Sequence, residues 1–195
     1  MSEPFRRVAH DLNNVFAAIL GCADLLTIRL KDSPLQEDAK EIQRAAERGA
    51  ALVLMHTRGR SKTMYAEAVY DDVIGDLARE LKASVRTATD AGVPIDRIIL
   101  DPGVGFAKRP SHSYGVLARL PELAAALDRP LLVGPSRKSF MRDAVGDRPA
   151  PERDWGTAAA VTAAVLAGAH IVRVHAVAAM IQVVRVAEEI RRQQL

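Results

Sequence analysis

Ile98-Ile99-Leu100-Asp101-Pro102-Gly103-Val104-Gly105-Phe106 decides the fold. Three apolar residues in a row, with no polar alternation, read as a strand buried on both faces. The run then breaks into a carboxylate, a proline and two glycines, the chemistry of a loop leaving a strand end. Working outward, four short apolar runs share this texture: 51–55, 97–100, 130–134 and 170–174. Helical-period stretches near 66–90, 112–127 and 155–167 separate them, and a last one lies near 177–193. Ala91-Gly92-Val93-Pro94, Leu127-Asp128-Arg129-Pro130 and Ala167-Gly168-Ala169 supply the stops. Doubly buried strands joined by crossover helices form a parallel sheet covered by helices, an α/β fold of four βα units.

A different pattern occupies the first fifty residues. Phe5, Val8, Leu12, Val15, Ile19, Cys22, Leu26 and Leu30 follow helical 3-4 spacing. Asp32-Ser33-Pro34 interrupts, with Ser33 placed to cap a second helix and Pro34 at its first turn. Leu35, Ala39, Ile42, Ala45 and Ala46 form that helix's apolar face. The expectation is an antiparallel helical hairpin over 1–48, followed by the α/β unit over 49–195.

Composition narrows the function classes. The chain has 195 residues, 49% hydrophobic and 26% charged, with 27 Lys and Arg against 24 Asp and Glu. That +3 excess is spread out, with no basic stripe interleaved with aromatics, so nucleic acid is a poor partner. No apolar stretch approaches the length of a membrane span. The single cysteine, Cys22, allows no internal disulfide and suits a cytoplasmic setting. A complete (β/α)8 barrel takes ~250 residues, and four βα units in 195 residues fall short of it.

In parallel α/β folds the chemistry sits past the C-terminal strand ends. Those ends read His56-Thr57-Arg58-Gly59, Asp101-Pro102-Gly103-Val104-Gly105-Phe106, Gly134-Pro135-Ser136-Arg137-Lys138-Ser139 and Arg173-Val174-His175. Asp101 could accept paired ring N–H and amino donors, ligate a metal, or simply cap a turn. Lys138 and Ser139 stand at a helix start, where Ser139 and backbone N–H groups can hold a carboxylate and Lys138 can donate to a carbonyl. The alternative is a solvated Arg-Lys pair. Arg173 and His175 alternate with Val172 and Val174, so both polar side chains share one face. Phosphate or pyrophosphate is their natural ligand. His112 and His170 read as structural.

Taken together, Leu54-Met55-His56-Thr57-Arg58-Gly59, Asp101 through Lys108, Ser136-Arg137-Lys138-Ser139-Phe140 and Arg173-Val174-His175 resemble dihydropteroate synthase, a TIM-barrel enzyme. The resemblance covers about 49–192 and implies transfer of a dihydropterin methylene from its pyrophosphate to p-aminobenzoate. It implies that Asp101 and Lys138 bind the pterin, with Met55 lining its pocket. Phe106 and Ser139 would lie near p-aminobenzoate, and Arg173 and His175 would hold the pyrophosphate. Lys138, Arg173 and His175 are the implied catalytic groups. No cofactor is expected to bind tightly, and Mg2+ is expected only with the pyrophosphate. The chain departs from the family at Ala176, where an acid is usual, and at Ala107, where Gly is frequent. The family's first four strands have no counterpart in it, so the resemblance implies a half-barrel of four βα units, and weak or absent activity is expected of the chain alone.

His10-Asp11-Leu12-Asn13-Asn14, Ala17-Ala18-Ile19-Leu20-Gly21 and Ala45-Ala46-Glu47-Arg48-Gly49-Ala50 resemble instead the dimerisation and phosphoacceptor hairpin of sensor histidine kinases. That resemblance implies a chimera or fusion, with His10 as a possible phosphoacceptor. Both families pair through helices, so a homodimer is expected. Two other functions stay open: a non-enzymatic assembly module dimerised by the hairpin, and a phosphotransfer protein using His10.

Overall fold

The computed structural model describes residues 51–59 and 63–194. The expected hairpin over 1–48, His10 included, lies outside them. The chain divides into two compact units, Met1–Leu54 with Ala83–Ile99, and Met55–Lys82 with Leu100–Leu195.

Four strands carry the architecture: β1 (Leu52–Met55), β2 (Ile98–Asp101), β3 (Leu132–Val133) and β4 (Ile171–Val172). β1 pairs with β2, and β3 pairs with β4 in parallel, Leu132 opposite Ile171 and Val133 opposite Val172. A parallel bridge between Leu100 and Leu131 joins the two pairs. Chain order is therefore spatial order, and the result is part of a TIM-barrel-like (βα) arrangement with flanking helices, as expected. The helices are α1 (Val73–Asp90), α2 (Pro110–Ala118), α3 (Leu120–Leu127), α4 (Arg142–Val145), α5 (Asp154–Leu166) and α6 (Val177–Arg192).

Two elements differ from the sequence expectation, each for a local reason. The helix expected from 66 begins at Val73, because the Asp72 carboxylate accepts the backbone N–H groups of Ile74 and Gly75 at 3.3 and 3.1 Å. The helix expected over 112–127 is two helices meeting at Arg119. Pro121 has no N–H to give and its ring would strike the carbonyl of Leu117, so one continuous helix is excluded.

In the first unit, α1 stops at the expected Gly92. Gly92 takes φ +94, its N–H bonds to Thr89 O, and the Val93 N–H reaches back to Ala88 O at 3.0 Å. This is the paired closure of a Schellman stop, with Val93 and Ala88 both buried. In the second unit, Leu100, Val116, Leu120, Leu123, Leu131 and Val133 are fully buried. Each stabilises by about 1.5–3 kcal/mol relative to exposure. Val172 and Val174 pack on Val161 and Val165 of α5 and Ala187 of α6. Their partners in the alternation, Arg173 and His175, are consequently left exposed beyond the end of β4.

Candidate active site

Asp101 is the last residue of β2, and its carbonyl accepts the His56 N–H at 2.8 Å. The side chain is only 7% exposed, and its Oδ1 accepts the Gly103 N–H at 2.7 Å. That bond bends the chain back over the strand end. Gly103 follows at φ +64, where a Cβ would lie 2.0 Å from the carbonyl oxygen of His56. Gly105, at φ +82, would carry a Cβ 2.9 Å from Lys138 Cδ. The two glycines are thus required by close approach as well as by dihedral. Ala107 also holds a positive φ, +48, a conformation that favours glycine. Burial pushes the Asp101 carboxyl above its usual range, while the Gly103 N–H and the charges of Lys138, Lys108 and Arg173 pull it back.

Lys138 enters from the loop after β3. Its Nζ donates to the Val104 carbonyl and stands 4.2 Å above the Phe106 ring. Burial lowers its pKa to about 8, against the pull of Asp101. Asp101, Phe106 and Lys138 are therefore brought together, and Met55 borders them: a Cβ on Gly103 would meet Met55 Cγ at 3.4 Å. Ser139 is exposed at the start of the 3-10 turn Ser139–Met141. The loop itself is pinned to the start of α5. Arg137, at φ +59, donates its backbone N–H to Thr157 Oγ1 and accepts Arg153 Nη1 on its carbonyl. Arg153, almost fully buried, also donates twice to Arg148 O.

Arg173 and His175 share the mouth of β4. His175 is positioned by Ser136, whose Oγ accepts the His175 backbone N–H at 3.2 Å and lies 2.9 Å from Nδ1. With the hydroxyl proton on Nδ1, the ring's Nε2–H is left as the donor. His170 accepts the Leu131 N–H at 3.2 Å and His112 accepts the Arg109 N–H at 3.4 Å, as expected of structural histidines.

The largest feature that the sequence did not reveal is a buried chain of groups beneath the Asp101 loop. Lys108 Nζ lies 3.0 Å from His56 Nδ1 and donates to Phe106 O at 3.1 Å. His56 Nε2 lies 2.9 Å from Glu80 Oε2. Lys108 and His56 are 1% and 4% exposed. Burial, then the Lys108 charge, lowers the His56 pKa to about 4, against the Glu80 carboxylate. Burial lowers that of Lys108 to about 7. His56 is therefore neutral at pH 7, giving Nε2–H to Glu80 and accepting Lys108 on Nδ1. Arg58 closes the cluster with ion pairs to Glu80 and to Asp76, the latter at 3.3 Å, and with a stack 4.0 Å over Tyr70. Tyr70 in turn donates to Ala107 O at 2.8 Å, and Tyr65 to Gly105 O at 3.3 Å. Glu80 and Lys108 lie 24 and 52 positions from His56, and only the adjacency of His56 to a strand end hinted at them.

Comparison with known proteins matches this geometry to a family. The pterin binding enzyme family matches residues 27–175. Dihydropteroate synthase of Synechocystis is 47% identical over 149 residues, covering 76% of this chain and 51% of the relative. The Escherichia coli enzyme is 40% identical, covering 75% and 51%. A mitochondrial bifunctional folate synthesis protein of pea is 35% identical over 201 residues, covering 98% of this chain and 36% of the relative. Among solved structures, Yersinia pestis dihydropteroate synthase in a sulfonamide complex superposes with a TM-score of 0.73 at 35% identity, covering 78% of this chain and 55% of that one. The Thermus thermophilus enzyme in complex with 6HMPPP superposes at 0.71 and 35% identity, covering 81% and 70%. The chain spans about half the length of the curated relatives it matches.

These matches correct the reading of the N-terminal segment. The family match begins at residue 27, inside the stretch that resembles a kinase hairpin, and the pea relative aligns along almost the whole chain. The matches give no evidence for a separate kinase-type dimerisation or phosphoacceptor domain, which overturns the chimera reading and the phosphoacceptor role it implied for His10. The physical source of the error is that an apolar 3-4 stripe with small residues suits a barrel's crossover helix as well as a bundle helix. From the motifs at its strand ends to the overlay of its fold, the chain belongs to the pterin binding enzyme family and closely matches dihydropteroate synthase across most of its length.

Proposed function

We propose that this chain forms the later-strand part of a dihydropteroate synthase site. It would join the methylene of a dihydropterin pyrophosphate to the amine of p-aminobenzoate. The observation that carries the reading is the buried Asp101 carboxylate, set among Lys138, Lys108 and Arg173 at the ends of neighbouring strands. A carboxylate so placed suits the ring N–H and amino donors of a pterin, and Lys138 beside it suits the ring carbonyl. Phe106 and the exposed Ser139 would flank p-aminobenzoate, Ser139 toward its carboxylate. Arg173 and the Nε2–H of His175 would hold the pyrophosphate. In the reaction the methylene C–O bond breaks, the pyrophosphate leaves with the electron pair, and the arylamine nitrogen forms the new C–N bond and sheds a proton. Cations aimed at the leaving oxygens stabilise the charge that develops there.

No group of three or more His, Cys, Asp or Glu able to hold a metal stands together among the described residues. Magnesium is expected in this reading together with the pyrophosphate, as the similarity to dihydropteroate synthase implies. With four βα units described, turnover by the chain alone would be weak. The exposed Val177, Ile181, Val186 and Ile190 of α6, with Trp155, favour a homodimer. Sedimentation at one-chain mass at micromolar concentration would remove that part.

The test is titration calorimetry with a dihydropterin pyrophosphate analogue and magnesium, with Asp101→Ala alongside. Binding that disappears in the variant supports the reading and justifies a turnover assay with p-aminobenzoate. Equal heats in both proteins count against it.

A further inference from the structure

The pterin-site loop runs from Asp101 to Lys108, and its outer residues have no repetitive backbone pairing to fix them. Beside the bonds from Lys138, Tyr65 and Tyr70 to its carbonyls, a second set of contacts holds it from beneath. The His56 backbone gives its N–H to Asp101 O, and its carbonyl oxygen sits where a Gly103 side chain would be. The Lys108 side chain folds back under its own loop, with Nζ bound to Phe106 O at 3.1 Å and to His56 Nδ1 at 3.0 Å. His56 can accept that bond only as the Nε2–H tautomer, and the Glu80 carboxylate 2.9 Å from Nε2 selects it. Glu80 is in turn oriented by Arg58. A lysine 1% exposed, beside another cation at Lys138, is costly to keep. A loop that needed only to close would be served by an apolar side chain, so the retained amine points to a polar task.

We propose that Lys108 is a positioning residue for the pterin site: bridging His56 Nδ1 and the Phe106 carbonyl, it locks the Asp101–Phe106 loop in its binding form, with Glu80 setting the His56 tautomer that receives it. The proposal deepens the function above and rests on it for the ligand, but its structural part stands separately. Lys108 touches no reacting atom. It fixes the two ends of the segment whose first residue is the pterin carboxylate and whose sixth is the aromatic ring under Lys138.

The experiment uses the full chain with Lys108→Met, Lys108→Arg and, as a control, Lys82→Met on the exposed side of α1. Three readouts are taken. Amide exchange of Gly103 and Phe106 is expected to quicken about tenfold or more in Lys108→Met, with the control unchanged and Lys108→Arg between. Affinity for the dihydropterin pyrophosphate analogue is expected to fall about tenfold in Lys108→Met and to recover in part in Lys108→Arg. The 15N signals of the His56 ring in the unaltered protein are expected to show Nδ1 bare and Nε2 protonated from pH 6 to 8, and this needs no variant to fold. A protonated Nδ1, or loop amides as protected in Lys108→Met as in the unaltered chain, overturns the proposal. Should the unaltered chain bind no pterin, the function above fails while the exchange and ring signals still decide the role of Lys108.

Discussion

Arg137 grips both carboxylate oxygens of Asp154, Nε to Oδ1 at 2.8 Å and Nη2 to Oδ2 at 2.7 Å, from a backbone held at φ +59. The residue next to Lys138 is thus kept in a conformation that disfavours side chains, and a bidentate ion pair to the start of α5 holds it there. The two roles separate by substitution. Arg137→Ala loses the clamp and keeps the dihedral penalty, whereas Arg137→Gly loses the clamp and the penalty together. Thermal unfolding should place Arg137→Gly above Arg137→Ala by a few degrees, with both below the unaltered protein. The reverse order would mean that the dihedral carries no cost.

Gly103→Ala should be the most damaging single methyl in the loop. It combines a positive φ with a Cβ 2.0 Å from the His56 carbonyl oxygen, a backbone atom that cannot swing aside. A loss of about 2–4 kcal/mol in urea unfolding is expected. A loss under 1 kcal/mol would show that the strand ends can part easily.

Asp101→Asn separates stability from binding. Burial raises the carboxyl's pKa, so the charged form is the costly one in the folded state at pH 7. The amide keeps an oxygen for the Gly103 N–H. The variant should therefore unfold at the same temperature or higher while losing pterin affinity by at least about tenfold, as calorimetry would show. A lower unfolding temperature would contradict the assigned cost.

Ser136→Ala should leave the fold intact and free the His175 ring, since Ser136 holds both its Nδ1 and its backbone N–H. Inorganic pyrophosphate affinity should fall roughly threefold to tenfold, the worth of one or two hydrogen bonds. Titration with pyrophosphate and magnesium checks this.

The buried His56 and Lys108 make stability depend on pH with a definite sign. Both have folded pKa values below their unfolded ones, about 4 against 6.5 for His56 and about 7 against 10.5 for Lys108. Between each pair of values the unfolded chain holds a proton that the folded one does not, so stability rises with pH across those windows. The groups facing Lys108 are His56, Glu80, Asp101, Lys138 and Arg58. Urea midpoints compared between the unaltered chain and His56→Gln should differ in slope from pH 4 to 6.5, and Lys108→Met should flatten the rise above pH 7. Parallel curves would place these side chains in water.

The end of β2 was legible to within one residue, because its buried apolar run gives way to a carboxylate at Asp101, the last residue of the strand. The alternation of Arg173 and His175 with two valines was equally plain, and the valines do face the α5–α6 core. Less accessible were contacts joining distant positions through a single atom pair, such as Glu80 to His56 or Arg137 to Asp154. No periodicity marks them, because each depends on one loop's dihedrals. The break at Arg119 was readable from Pro121 but was masked by the apolar stripe that continues through Leu120, Leu123 and Leu127. The kinase resemblance of the N-terminal segment misled for the converse reason, since an apolar 3-4 stripe with small residues recurs in unrelated families.

Lys138 spends its ammonium on the loop's own Val104 carbonyl and on the Phe106 ring. Seen from the ligand, the free protein already contains a competitor for the group it wishes to meet. An arriving ring carbonyl trades places with a backbone carbonyl, so the exchange returns little net free energy. Lys138 would accordingly contribute more to discrimination than to affinity: a ring presenting a hydrogen-bond donor at that position leaves the lysine with its original partner and gains nothing from it.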